Sequence, residues 1–229
     1  MISEPRLRTI EMVRETIERH SGDFSRYQLW KNLPKKMMYQ TFQRTLEYLS
    51  GNNEIALRDD KKIEWRNVTK KLELSTIKRE TIVFNLSHYG YDLITLTRPK
   101  KQEILPLEEL ILQILIRFPE TRFIEAIPIL MIKNKLDQFE LYRAAYDNDL
   151  INKLGFLLEA SFKIAKNKNQ NISYLRELFQ NLILKKNPTI QRFSNSKDVA
   201  YLKKNTPLEM KKWNLIGLFS FHDFHEANL

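Results

Sequence analysis

Cysteine is absent from this chain. That excludes disulfide staples and thiolate metal sites, and agrees with a reducing compartment. Glycine and proline are scarce, at 5 and 8 of 229 residues, so turn residues are few, as expected of a mostly helical protein. No apolar run reaches the roughly 18 residues of a membrane span. The opening residues, Met1 to Arg6, lack the apolar stretch of a signal peptide. A soluble, cytoplasmic protein without a membrane partner is therefore expected. Catalytic signatures are missing too: there is no glycine-rich phosphate loop, no nucleophile elbow and no two-histidine zinc helix. The carboxylates Glu125, Asp137, Asp147, Asp149 and Glu159 are scattered over helix surfaces, where solvation or helix capping is their expected role, with Asp137 a natural N-cap. His222 and His225, beside Asp223 and Glu226, have the spacing of a metal half-site, but no second ligand cluster accompanies them. Neither an enzyme activity, a cofactor nor a bound metal is expected.

What the chain does have is apolar residues, 42% of the total, enough for a true core. It also has a net charge of +10. The distribution of that charge is uneven. Residues 1–70 carry 14 basic and 10 acidic side chains, residues 71–162 carry 12 and 13, and residues 163–212 carry 12 and 3. The larger basic surplus thus falls in the C-terminal half.

The most informative stretch is Ser25 to Arg66. Its order is a short helix, a proline-marked turn at Pro34, a longer helix and a polar hairpin. Between Asp23 and Glu47 there is no acidic residue, whereas Arg26, Lys31, Lys35, Lys36 and Arg44 are basic. A surface that lies against phosphates needs such a window. A first helix over residues 5–20 precedes it, with Leu7, Ile10, Val13 and Ile17 at helical spacing. The spacing predicts the third helix from about Lys36 to Ser50, with Met38, Phe42, Thr45, Leu46 and Leu49 on its inner face. Ile55 and Leu57 on one side of a polar turn, and Ile63 and Trp65 on the other, predict a hairpin. Together these elements predict a winged helix-turn-helix over residues 1–68. Tyr39, Gln40, Gln43 and Arg44 have the chemistry for base edges, Lys35 and Lys36 suit phosphates, and Lys61, Lys62 and Arg66 lie on the wing. The competing reading is a winged helix that contacts protein, with a merely solvated polar face.

A connector with a β-rich segment is expected over residues 69–105. Its stretch 81–97 has strand propensity and a Tyr89-Gly90 break, which reads as a small hairpin. From Pro106 to residue 229 the pattern is helical, with segments at 106–118, 121–133 (which Pro128 should kink or reset), 137–147, 149–166 and 171–185. The expected fold class is mainly α with small β. Lys163 to Lys212 interleaves basic residues with Tyr174, Phe179, Phe193, Tyr201 and Trp213. That stretch is either a patch for RNA, DNA or an acidic protein, the last preferred, or a solvated lysine face over an aromatic core.

Residues 121–160 carry the pattern Arg122-Phe123-Ile124-Glu125-Ala126-Ile127-Pro128, then Lys133-Asn134-Lys135, then Leu154-Gly155-Phe156-Leu157-Leu158-Glu159. This resembles the C-terminal domain of AbiEi-type antitoxins of abortive-infection toxin–antitoxin systems, in which a winged helix precedes a helical domain. The resemblance implies a regulator whose winged helix binds double-stranded operator DNA and represses its own operon. Its C-terminal domain would counteract a nucleotidyltransferase-like toxin. Arg122, Lys133, Lys203, Lys204, Lys211 and Lys212 are the candidate partner-binding residues, and a palindromic operator would call for a homodimer or paired monomers. Two other readings stay open. One is a stand-alone regulator whose C-terminal domain dimerises or senses a ligand; the other is a non-catalytic component of a nucleic-acid processing assembly.

Overall fold

A computed structural model describes residues 7–52, 54–66, 76–93, 101–166, 169–186, 189–193 and 198–224. The chain is mainly helical and divides into two compact units, Met1–Lys70 and Lys71–Leu229.

In the first unit, α1 (Leu7–Arg19) packs on α3 (Tyr39–Gly51), and α2 (Arg26–Lys31) lies between them in sequence. Ile10, Val13 and Ile17 of α1, Phe42, Leu46 and Leu49 of α3, and Leu29 and Leu33 are the buried apolar residues of these helices and the turn after α2. That is the apolar stripe of period 3.6 expected of helices facing a core. Helix α2 starts where Ser25 donates from its N–H and its hydroxyl to Gln28 Oε1. After α3 come β1 (Ile55–Leu57) and β2 (Ile63–Trp65), paired antiparallel with Leu57 opposite Ile63. The turn between them needs a left-handed residue, and Lys61 takes that conformation at φ 63°. The chain before α2 lies along the other edge of β2: Ile63 donates to the carbonyl of Phe24, and Gly22, at φ 79°, donates to that of Ile63. Beneath this sheet Arg14 Nε sits 3.1 Å from Glu54 Oε2, and its guanidinium lies over the Trp65 ring.

The second unit is built around α8 (Ile151–Ile164), with α6 (Thr121–Lys133) and α9 (Gln170–Lys186) packed against it. From Leu154 to Ser161 every residue of α8 is buried. A helix that is buried all round shows no amphipathic stripe, because every face has a neighbour. Helix α5 (Leu107–Ile116) packs against α4 (Arg79–His88), α6 and α7 (Gln138–Asp147). Asp137 caps α7, accepting from the N–H groups of Phe139 and Glu140. Beyond α9 the chain forms β3 (Gln191–Arg192), α10 (Val199–Asn205), α11 (Leu208–Lys211) and β4 (Leu215–Ile216), then a 3-10 turn at Phe221–Asp223. Trp213, Phe219 and Phe224 are buried, and the rings of Phe193, Phe221 and Phe224 surround Phe156 of α8.

Two expectations are corrected. Residues 81–88 are helix, not the first arm of a hairpin; residues 94–97 of that prediction lie outside the described residues. Burial overrides strand propensity here: Thr81, Ile82, Val83, Asn85 and Leu86 are all buried. The Asn85 side chain also locks the helix to the following segment, donating to the Glu103 carbonyl and accepting from the Leu105 N–H. The described strands of the second unit, β3 and β4, pair in parallel. Of the kink or reset expected at Pro128, the reset does not occur: α6 continues from Thr121 to Lys133 with the proline buried. Its ring removes one backbone donor, and a helix packed on this much apolar surface tolerates the loss.

Candidate nucleic-acid interface

Helix α3 sorts its residues by face. Phe42, Thr45, Leu46 and Leu49 are buried, whereas Gln40, Gln43, Arg44 and Glu47 are exposed. Long polar side chains on the outer face of a helix, anchored by a fixed inner face, can reach a ligand without rearranging the core. Lys35 and Lys36 are exposed as well, but they precede the helix rather than open it. The helix starts at Tyr39, after Met38 with its extended backbone. No side chain caps this end. Instead the loop is held from outside, where Trp30 Nε1 donates to the Met37 carbonyl at 2.9 Å. Two consequences depart from the sequence reading. Met38 is 74% exposed rather than packed inside. Tyr39 is half-buried, its ring edge-on to Trp30 at 5.3 Å and near Phe42, so it braces the turn more than it projects outward.

On the hairpin, Lys61 is exposed at the turn and Arg66 is exposed beyond β2. Lys62 is half-buried and drawn towards Asp60, with Nζ 3.9 Å from the carboxylate. Arg58 is held by the same Asp60 at 3.8 Å. Two cations of the hairpin thus share one carboxylate at long range. These side-chain pairs are exposed and weak, so they compete little with a phosphate.

Between α3 and the hairpin runs a groove of about 260 Å³. Leu46, Ile55 and Ile63 line its floor, and Arg26, Gln43, Glu47 and Ser50 stand around it. Arg26 is a residue that sequence reasoning passed over as a site; its place as the first residue of α2, inside the acid-free window, was the available signal. Glu47 lies across the same groove, so the rim carries both signs.

In the second unit, the positions of the AbiEi-like pattern separate into core and surface. Leu154, Phe156, Leu157 and Leu158 are fully buried. Gly155 lies under the Trp213 ring: a Cβ built there would stand 2.0 Å from Trp213 Cζ3. Glu159 is buried, with Arg176 at 3.9 Å and Lys212 at 3.6 Å. Asn134 ties α6 to α4, donating to the Tyr89 carbonyl. Burial pushes the Glu125 carboxyl above its usual range, Asp223 adds to this, and Arg122 opposes it. Of the polar positions in the pattern, Arg122, Lys133 and Lys135 are exposed. Lys203, Lys204, Lys211 and Lys212 are exposed too, while the aromatics interleaved with them, Phe179, Phe193 and Trp213, point into the core and Tyr201 does not. His222 is exposed in the 3-10 turn, whereas His225 and Glu226 lie outside the described residues. No cluster of three metal-ligating side chains occurs among the described residues.

Comparison with protein-family models, with curated proteins and with solved structures gives no match for this chain.

Proposed function

We propose that residues Met1–Lys70 form a winged-helix domain that binds double-stranded DNA, and that the chain is a transcriptional regulator of the AbiEi antitoxin type. The observation that carries the DNA reading is the outer face of α3. Gln40, Gln43 and Arg44 are all exposed on a helix whose inner face is fully packed. Lys35 and Lys36 stand just before it, and no carboxylate occurs between Asp23 and Glu47. Glutamine can pair bidentately with adenine and arginine with guanine, so this face can read base edges while the lysines hold phosphates. Tyr39 supports the face from below rather than reading bases. The antiparallel strands β1 and β2, with Lys61 at their turn and Arg66 after them, supply the wing of this reading.

The test is operator binding by fluorescence anisotropy, using duplex DNA from the region upstream of the gene. Replacing Gln40, Gln43 and Arg44 with alanine should remove sequence preference. Removing one bidentate pairing with a base edge should weaken specific binding by about 1–3 kcal/mol. Replacing Lys35 and Lys36 should weaken all duplexes alike and lower the salt dependence. Retention of sequence-specific binding by the triple variant would sink the assignment of α3.

The antitoxin half of the proposal rests on the pattern in residues 121–160, in which Arg122 and Lys133 supply exposed charge on α6. It predicts that the neighbouring gene encodes a nucleotidyltransferase-like protein whose expression alone arrests growth. Co-expression of this chain should restore growth. Growth arrest that persists at full expression of both genes counts against the antitoxin reading and leaves the DNA reading untouched.

A further inference from the structure

We infer that the corner formed by α10 and α11 is a second nucleic-acid site, one that grips the backbone of a single strand without reading its sequence. The inference concerns the second unit alone and does not depend on the duplex reading of α3.

The corner is a built feature. Asp198 caps α10, accepting from the Tyr201 N–H at 2.9 Å. Thr206 fixes the bend between the helices, donating to the Leu202 carbonyl and accepting from the Gly217 N–H. Leu202, Met210 and Trp213 are buried beneath. What remains outside is Tyr201, at 56% exposure, with Lys203 and Lys204 exposed on the same short helix and Lys211 exposed on the next. Of the acidic groups nearby, two are committed to partners and one is partly covered. Asp198 is the cap, Glu209 is half-buried, and Glu159 holds Lys212 and Arg176.

Chemistry favours phosphate over protein as the occupant. Lysine is depleted at protein interfaces, whose hot spots favour arginine and aromatics. Flexible ammonium groups suit a row of phosphates, each of which takes a point charge. An exposed tyrosine beside them offers a platform on which any base can stack. Leu208, 80% exposed at the start of α11, adds apolar surface for a base or sugar face.

The experiment uses the full chain, a fluorescent thymidine 20-mer and a salt titration. Reversal of three charges in K203E/K204E/K211E should weaken binding at least about tenfold and lower the salt slope by about 2, since each phosphate contact on a single strand contributes about 0.7. Tyr201→Ala should weaken binding roughly 5- to 150-fold, the range of one stacked base, and leave the slope unchanged. The α3 triple alanine variant should bind the single strand as well as the parent does. Lys212 is left in place because it pairs with Glu159. If the reversal variant fails to fold, K203Q/K204Q/K211Q gives the same test with less repulsion. An unchanged slope in the lysine variants, or loss of single-strand binding in the α3 variant, overturns the inference. So does an outcome in which the lysine variants lose binding to a polyglutamate peptide but keep the 20-mer, which would assign the corner to an acidic protein.

Discussion

Replacing Glu54 with alanine is expected to destabilise Met1–Lys70 by about 3–5 kcal/mol, the usual consequence of stripping one partner from a buried ion pair. Arg14 and Glu54 are each only about a tenth exposed as side chains, at 10% and 11%, and their charged atoms stand 3.1 Å apart. Arg14 comes from α1 and Glu54 from the entry to β1, so the pair fastens the helical layer to the sheet. Removing the carboxylate takes away the partner that Arg14 holds at 3.1 Å, in a site with little water. The Trp65 ring at 5.2 Å offsets a fraction of that cost. Hydrogen exchange gives a readout specific to this unit. Protection of amides in α1 and α3 should fall by about two to three and a half orders of magnitude, at 1.4 kcal/mol per decade, while amides in α8 keep theirs. A double replacement, Arg14→Met with Glu54→Leu, should cost less than Glu54→Ala alone, because apolar groups of similar volume need no partner. A protection change in α1 and α3 below tenfold would show that the pair does not hold the layers together.

The second large effect is expected at Gly155. Inside an ordinary helix, alanine is favoured over glycine by about 1 kcal/mol. Here the sign should reverse. The added methyl would lie 2.0, 2.3 and 2.8 Å from three carbons of the Trp213 ring, which is 1% exposed and has no room to retreat. Overpacking of this kind costs typically 1–3 kcal/mol, and a rigid indole places Gly155→Ala at or beyond the upper end. Trp213→Leu alone should also destabilise, by leaving a cavity. The two changes made together should cost less than their sum, since the smaller side chain admits the methyl. Strict additivity in thermal or urea unfolding would refute the contact.

These two sites also show how legible the fold is in the sequence. The stripe of α1 and the sorted faces of α3 can be read directly, because each helix meets its core along one side. The hairpin of Ile55 to Trp65 is read from alternation around a polar turn. Helix α4 cannot be read this way: its Thr81-Ile82-Val83 run has the propensity of a strand, and the burial of that run and the hydrogen bonds of Asn85 with residues 103 and 105 come from parts of the chain distant in sequence. The role of Gly155 is likewise invisible, since its partner Trp213 lies 58 positions away in the chain. At the candidate interface the residue types are legible but their commitments are not. Nothing local to Tyr39 or Met38 reveals that the tyrosine packs on Trp30 and the methionine stands outside, because the start of α3 is set by the indole of Trp30 holding the Met37 carbonyl.

The enclosure of α8 has a consequence for the order in which the molecule is made. Its walls come from both directions along the chain: α6 is synthesised before it, and α9 and the aromatic residues 213–224 after it. While the chain leaves the ribosome, the notch at Gly155 and the ring of Phe156 stay uncovered until some 60 further residues have emerged. Contacts of such long sequence separation form late and leave apolar surface open to aggregation in the interval. A stalled chain whose emerged part ends near residue 190 should therefore be held by chaperones, and one in which residue 224 has also emerged should release them. Met1–Lys70, a compact unit whose core closes within its own span, can mature well before that point.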